Sequence, residues 1–114
     1  MNIVLTEIKE NIAVVTIDNP PVNALSHVVR SGVSDAIQEL CKDTSVKAII
    51  LICEGRTFCA GADISEFGKP PLSPSLSNLM AKMDQINKPL IAAIHGTALG
   101  GGFELALGCH YRIM

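Results

Sequence analysis

Apolar and polar positions follow two different periods along the chain, and their order predicts its elements. Residues 3–8 and 12–17 are rich in β-formers, with Lys9, Glu10 and Asn11 as a short polar break between them, the pattern of a hairpin. Asp18-Asn19-Pro20-Pro21 ends the second strand, because proline has no amide to give to a ladder. From Ser26 the period changes to 3.6. Val28, Val29, Val33, Ala36, Ile37, Leu40 and Cys41 fall on one face, and Arg30, Ser34, Asp35, Gln38 and Glu39 on the other. Ser26 is the expected N-cap, and Lys42 suits the negative end of the helix dipole.

Val46 to Cys53 is a nearly unbroken apolar run of strand length, the pattern of a strand covered on both faces by helices. A loop of small residues, Gly55 to Asp63, is expected next, and after the proline breakers a second helix over Ser75 to Ile86 with Leu76, Leu79, Met80 and Met83 as packing residues. Pro89 to Ile94 predicts another buried strand. It leads through the glycine cluster at 96–102 into a short helix over Phe103 to Cys109, and the final residues from His110 read as a strand. A hairpin followed by alternating helices and strands predicts an α/β fold with right-handed crossovers.

Composition narrows the class of protein. Of 114 residues, 48% are hydrophobic and 18% charged, enough to bury a core, while aromatics make up 4% and tryptophan is absent, so the core has to be aliphatic. A net charge of −2 leaves no basic stripe for tracking a phosphate backbone, which argues against a nucleic-acid partner. No apolar stretch reaches the roughly 18 residues of a membrane span, and the start lacks the features of a secretory signal. Cys41, Cys53, Cys59 and Cys109 form no CxxC pair, and no set of residues has metal-ligand spacing. Together these readings predict reduced thiols, no metal and a cytoplasmic location.

The candidate chemistry lies in two loops that each follow a buried strand, residues 58–63 and 96–102, both able to reach one site at the carboxyl ends of the strands. Neither is a phosphate loop. Gly102 stands where a Walker loop needs lysine, Leu105 stands where the dinucleotide fingerprint needs its third glycine, and GxSxG is absent. What remains is a pair of backbone-amide donors, one at a helix N-terminus, an arrangement suited to a developing thioester enolate. Glu104, in the first turn of that helix, has the chemistry to move a proton at the adjacent carbon. Taken singly, each feature has a plainer reading: a glycine turn as tight packing, Glu104 as a dipole partner, Asp63 as a cap, and His27, His95 and His110 as ordinary histidines.

The combination is more specific. FCAGADI at 58–64 and GTALGGGFELALGCHYRI at 96–113, together with IAVVTIDNPPVNALS at 12–26, resemble the crotonase superfamily of enoyl-CoA hydratases and isomerases, and most of all the hydratase/isomerase region of multifunctional β-oxidation proteins. The resemblance implies a crotonase/ClpP-like spiral of ββα units, with residues 1–114 as its N-terminal portion ending before a second catalytic glutamate. It implies the amides of Ala62 and Gly101 as oxyanion donors and Glu104 as the catalytic acid/base. Ala24, Leu25, Ala60, Gly61, Asp63 and Ile64 would line coenzyme A. The implied substrate is an acyl-CoA thioester, with no tightly bound cofactor, NAD only where a dehydrogenase region follows, and a trimer-based homo-oligomer. The implied reaction is hydration of a 2-enoyl-CoA; the alternatives are double-bond isomerisation, or a non-catalytic short form that binds acyl-CoA or oligomerises. Ser65 departs from the basic residue common after GADI, which removes one expected phosphate partner.

Overall fold

The structure, a computed structural model, describes residues 3–55, 57–59, 61, 66, 68–70, 72–98 and 101–113. The chain begins with the expected hairpin, β1 (Val4–Lys9) and β2 (Ile12–Ile17), paired antiparallel from Val4↔Ile17 to Lys9↔Ile12. The turn is tighter than the sequence pattern suggests: Glu10 and Asn11 alone close it, with Glu10 at φ 57°. Helix α1 (His27–Lys42) then crosses to β3 (Ala48–Cys53), which pairs parallel with β2. Helix α2 (Leu76–Gln85) leads to β5 (Leu90–Ala93), parallel with β3, and α3 (Gly101–Gly108) leads to β7 (Tyr111–Ile113), parallel with β5. The sheet order is β1-β2-β3-β5-β7.

The cap residues act as expected. The Ser26 hydroxyl accepts from the Val29 amide, and Ser75 forms a reciprocal capping box with Asn78. Lys88 Nζ closes the other end of α1 by donating to the carbonyls of Leu40 and Asp43 at 2.7 and 2.6 Å.

The loop expected over 55–63 contains a short strand, β4 (Thr57–Cys59), and the glycine cluster contains another, β6 (Thr97–Ala98). These two pair parallel in a small sheet of their own, Thr57↔Thr97 and Cys59↔Ala98. Strands this short carry no periodicity, and so the sequence reads as loop. With them, the chain is three successive ββα units: β1-β2-α1, β3-β4-α2 and β5-β6-α3.

Register explains the core. Ala13, Ile49 and Leu90 form one row across the sheet, Val15, Leu51 and Ala92 the next, and all six are fully buried. They share one core cluster with Val29, Val33, Ile37 and Leu40 of α1, Leu79 and Met83 of α2, and Leu105 of α3. The alternate positions Ala48, Ile50, Ile52, Ile91 and Ala93 are half-buried, so the helices described cover one face of the sheet where the apolar run suggested both. Helix α1 also departs from its predicted pattern in detail. The stripe through Val29, Val33, Ile37 and Leu40 leaves Val28 at its margin, 57% exposed, while Ser34 is buried and Arg30 folds against a loop instead of facing solvent.

Cys109 is buried just after α3, and loss of hydration pushes its thiol up to about 12, with Arg112 opposing. Because the folded state holds this proton more tightly than the unfolded chain, its contribution is complete below the ordinary thiol range and is lost as pH rises toward about 12. Between about pH 9 and that limit, urea denaturation of the wild type should lose stability more steeply than Cys109→Ala, by about 1.4 kcal/mol per pH unit. Parallel pH profiles for the two proteins would rule this out.

Candidate active site

The site grows from the carboxyl ends of β4 and β6. Their parallel pairing sets Cys59, at the end of β4, beside Ala98, and α3 opens at Gly101. How close the two come is measured at Gly102, in the first turn of α3. A Cβ on that residue would stand 2.1 Å from the Cys59 carbonyl oxygen and 2.5 Å from its carbon, so only glycine admits this contact. Phe58 and Cys59 are fully buried beneath it, and α3 is anchored by Leu105, Ala106 and Cys109. Gly108 lies against the methyl groups of Met80 and Met83 of α2, the packing role the spacing of those methionines suggests.

The segment before α1 reaches the same place. The Leu25 amide donates to the Gly61 carbonyl at 2.8 Å, drawing residues 24–25 against the loop after β4. Gly61 is buried at φ +114°, a backbone conformation that L side chains rarely adopt. The turn that delivers Leu25 is framed by two asparagines. Asn23, 2% exposed and at φ 55°, accepts from the Asn19 amide and donates to the Glu54 carbonyl; Asn19 donates to the Ala24 carbonyl. The Cys59 thiol donates to the Asn23 carbonyl at 2.8 Å, tying this turn to β4. The Cys53 thiol is held well above the ordinary range by its hydrogen bond to Cys59 and by burial, so it is a proton-bearing packing group.

Of the residues expected at the site, Leu25 is buried, Ala24 is half-buried and Gly61 is buried, and these three are brought together. Gly101 opens α3, and Glu104 occupies its first turn with an exposed side chain. Ala60, Ala62, Asp63 and Ile64 lie outside the described residues. The three histidines have backbone partners: His110 Nδ1 accepts from the Leu90 amide, His27 meets the Ser73 carbonyl and His95 the Gly55 carbonyl.

The sequence pattern missed four residues that organise the site: Asn19, Asn23, Arg30 and Glu66. The asparagines had a readable signal in their placement either side of Pro20-Pro21, where asparagine tolerates a positive φ and bonds its own backbone. Arg30 and Glu66 had none, since they are 36 residues apart.

Three ββα units with a small parallel pair set against a glycine-tight helix N-terminus define a layered α/β protein. The sequence profile described as enoyl-CoA hydratase/isomerase matches residues 7–114, and the chain belongs to that family. It is 48% identical over 106 residues to the peroxisomal bifunctional enzyme of Danio rerio, covering 93% of this chain and 15% of that enzyme. It is 43% identical over 120 residues to a probable enoyl-CoA hydratase of Bacillus subtilis, covering 99% of this chain and 46% of that one. Among solved structures, an enoyl-CoA hydratase/isomerase family protein from Silicibacter pomeroyi superposes with a TM-score of 0.88 at 27% identity, over 96% of this chain and 50% of that one. The chain therefore spans at most about half the length of these relatives. Among the described residues, no helix is long and apolar enough to cross a membrane.

Proposed function

We propose that residues 1–114 form the N-terminal part of an enoyl-CoA hydratase/isomerase domain, and that the protein carrying it adds water reversibly to 2-trans-enoyl-CoA thioesters. The observation that carries this reading is the contact of Gly102 with the Cys59 carbonyl, which brings the start of α3 to the end of β4. In this reading the amides of Ala62 and Gly101 donate to the thioester oxygen, and the positive end of α3 helps to hold the enolate charge. The oxygen of water bonds to the carbon two removed from the carbonyl, and a proton is delivered to the carbon between them. Glu104 serves as acid/base in that transfer, with a second glutamate, from the continuation of the domain, as its partner.

Ala24 and Leu25, with Ala60, Gly61, Asp63 and Ile64, line the coenzyme A portion of the substrate. No tightly bound cofactor takes part, and NAD enters only where a dehydrogenase region follows. Double-bond isomerisation needs the same enolate hole and is the neighbouring reaction of this site. The working assembly is trimer-based, and the four free thiols suit a reducing compartment such as the cytoplasm.

Thermal-shift titration of the full-length protein with acetoacetyl-CoA tests the reading. Saturable stabilisation, absent with an equal concentration of acetate, is the expected result. No shift at any concentration would overturn it. The 114-residue chain alone, with one of the two glutamates, is expected to hydrate crotonyl-CoA no faster than buffer.

A further inference from the structure

We propose that Arg30 is a positioning residue for the coenzyme A side of the site, acting through the strap formed by Leu25 and Gly61; this rests on the acyl-CoA reading above. Arg30 lies in the first turns of α1, and its side chain is only 11% exposed. Its guanidinium reaches four acceptors from three separate stretches of chain. Nη1 donates to the Leu25 carbonyl at 2.7 Å and to Glu66 Oε1 at 3.1 Å, Nε donates to the Pro74 carbonyl at 2.8 Å, and Nη2 donates to the Leu72 carbonyl at 3.4 Å. Glu66 completes the knot, its Oε2 accepting from the His27 amide at 2.7 Å, while the His27 ring meets the Ser73 carbonyl.

A planar fork with five donors can satisfy such a set; the single ammonium of lysine cannot. The expense of desolvating this charge is offset only while the acceptors stay in place, so the guanidinium and the strap fix each other. The consequence for binding runs through Leu25. Its carbonyl is held by Arg30, and its amide holds the Gly61 carbonyl. Arg30 thus sets the position of both segments assigned to coenzyme A while standing one residue removed from the ligand itself. In that reading the arrangement acts on the coenzyme A segments and leaves the reacting carbons to α3 and Glu104.

That division predicts a specific kinetic signature in the full-length protein. Arg30→Lys keeps the charge and loses the fork, and it should raise KM for a 2-enoyl-CoA about tenfold with kcat within about twofold, the pattern of lost uniform binding. Glu66→Gln, at a carboxylate only partly buried, should move KM in the same direction by a smaller factor, and it decides the matter if Arg30→Lys does not fold. A merely structural clamp would lower kcat through a smaller active fraction and leave KM unchanged. Unchanged KM in every folded variant overturns the proposal while wild-type turnover leaves the acyl-CoA reading standing. A wild-type protein that neither binds nor converts 2-enoyl-CoA overturns both.

Discussion

Replacing Glu104 with glutamine in the full-length protein should lower saturated turnover of a 2-enoyl-CoA by about 10²- to 10⁴-fold, the range for loss of a positioned proton-transfer group. Affinity for acetoacetyl-CoA should stay within about twofold, because binding falls to backbone donors and the coenzyme A strap. Helix α3 positions the carboxylate. Its inner face is fixed by the burial of Leu105, Ala106 and Cys109, and Glu104 stands on its exposed side two residues beyond the contact of Gly102 with Cys59. Glutamine keeps the shape and removes the exchangeable charge. The competing role, a carboxylate favouring the positive end of the helix, is worth about 0.3–1 kcal/mol of stability and nothing in turnover. Stopped assays with crotonyl-CoA and a denaturation curve separate the two. A folded variant with unchanged turnover would assign Glu104 to the helix dipole alone.

The second large effect is on folding. Gly102→Ala should destabilise the 114-residue chain by about 3 kcal/mol or more, the upper end for forced overpacking. The new methyl would meet backbone on both of its nearest approaches, the carbonyl oxygen and carbon of Cys59 at 2.1 and 2.5 Å. That carbonyl cannot retreat easily, since Phe58 and Cys59 are fully buried and Cys59 pairs with Ala98. Gly32→Ala is the matched control. The three nearest atoms to its new methyl belong to the Val4 side chain, Cγ2 at 2.7 Å and Cβ at 2.9 Å among them, so relief there needs a small shift of β1, which lies at the sheet's edge. A loss of about 1 kcal/mol is expected there. Urea midpoints compare the two, and equal stability of Gly102→Ala and wild type would mean that α3 does not approach β4 so closely.

Most of the framework was legible because it follows from periodicity. The apolar stripe of α1, the serines that cap α1 and α2, and the apolar runs that become β3 and β5 are local signals, and each element formed within a residue or two of its expected span. β4 and β6 were illegible for a physical reason: at three and two residues they have no period, and they exist only because they pair with each other across the fold. The same holds for the site. Glu104 and the two small-residue loops were visible as motifs able to reach one site, but the contacts that hold the described parts of it, Gly102 against Cys59 and Leu25 to Gly61, leave no local signal. The helical phase of Arg30 puts it on the face away from the stripe. Only the placement of Glu66, Leu72 and Pro74 beside it turns it into a largely buried clamp.

In the proposed reaction the two loops polarise a thioester carbonyl. Isotope-edited infrared difference spectroscopy reads this directly, using a 2-enoyl-CoA labelled at the thioester carbonyl and bound to the full-length Glu104→Gln protein so that the ligand is not consumed. Hydrogen bonds from two preorganised amides weaken the C=O bond, so the band of the bound ligand should fall to lower frequency than in water. A bound carbonyl that absorbs at its free-solution frequency would contradict the account.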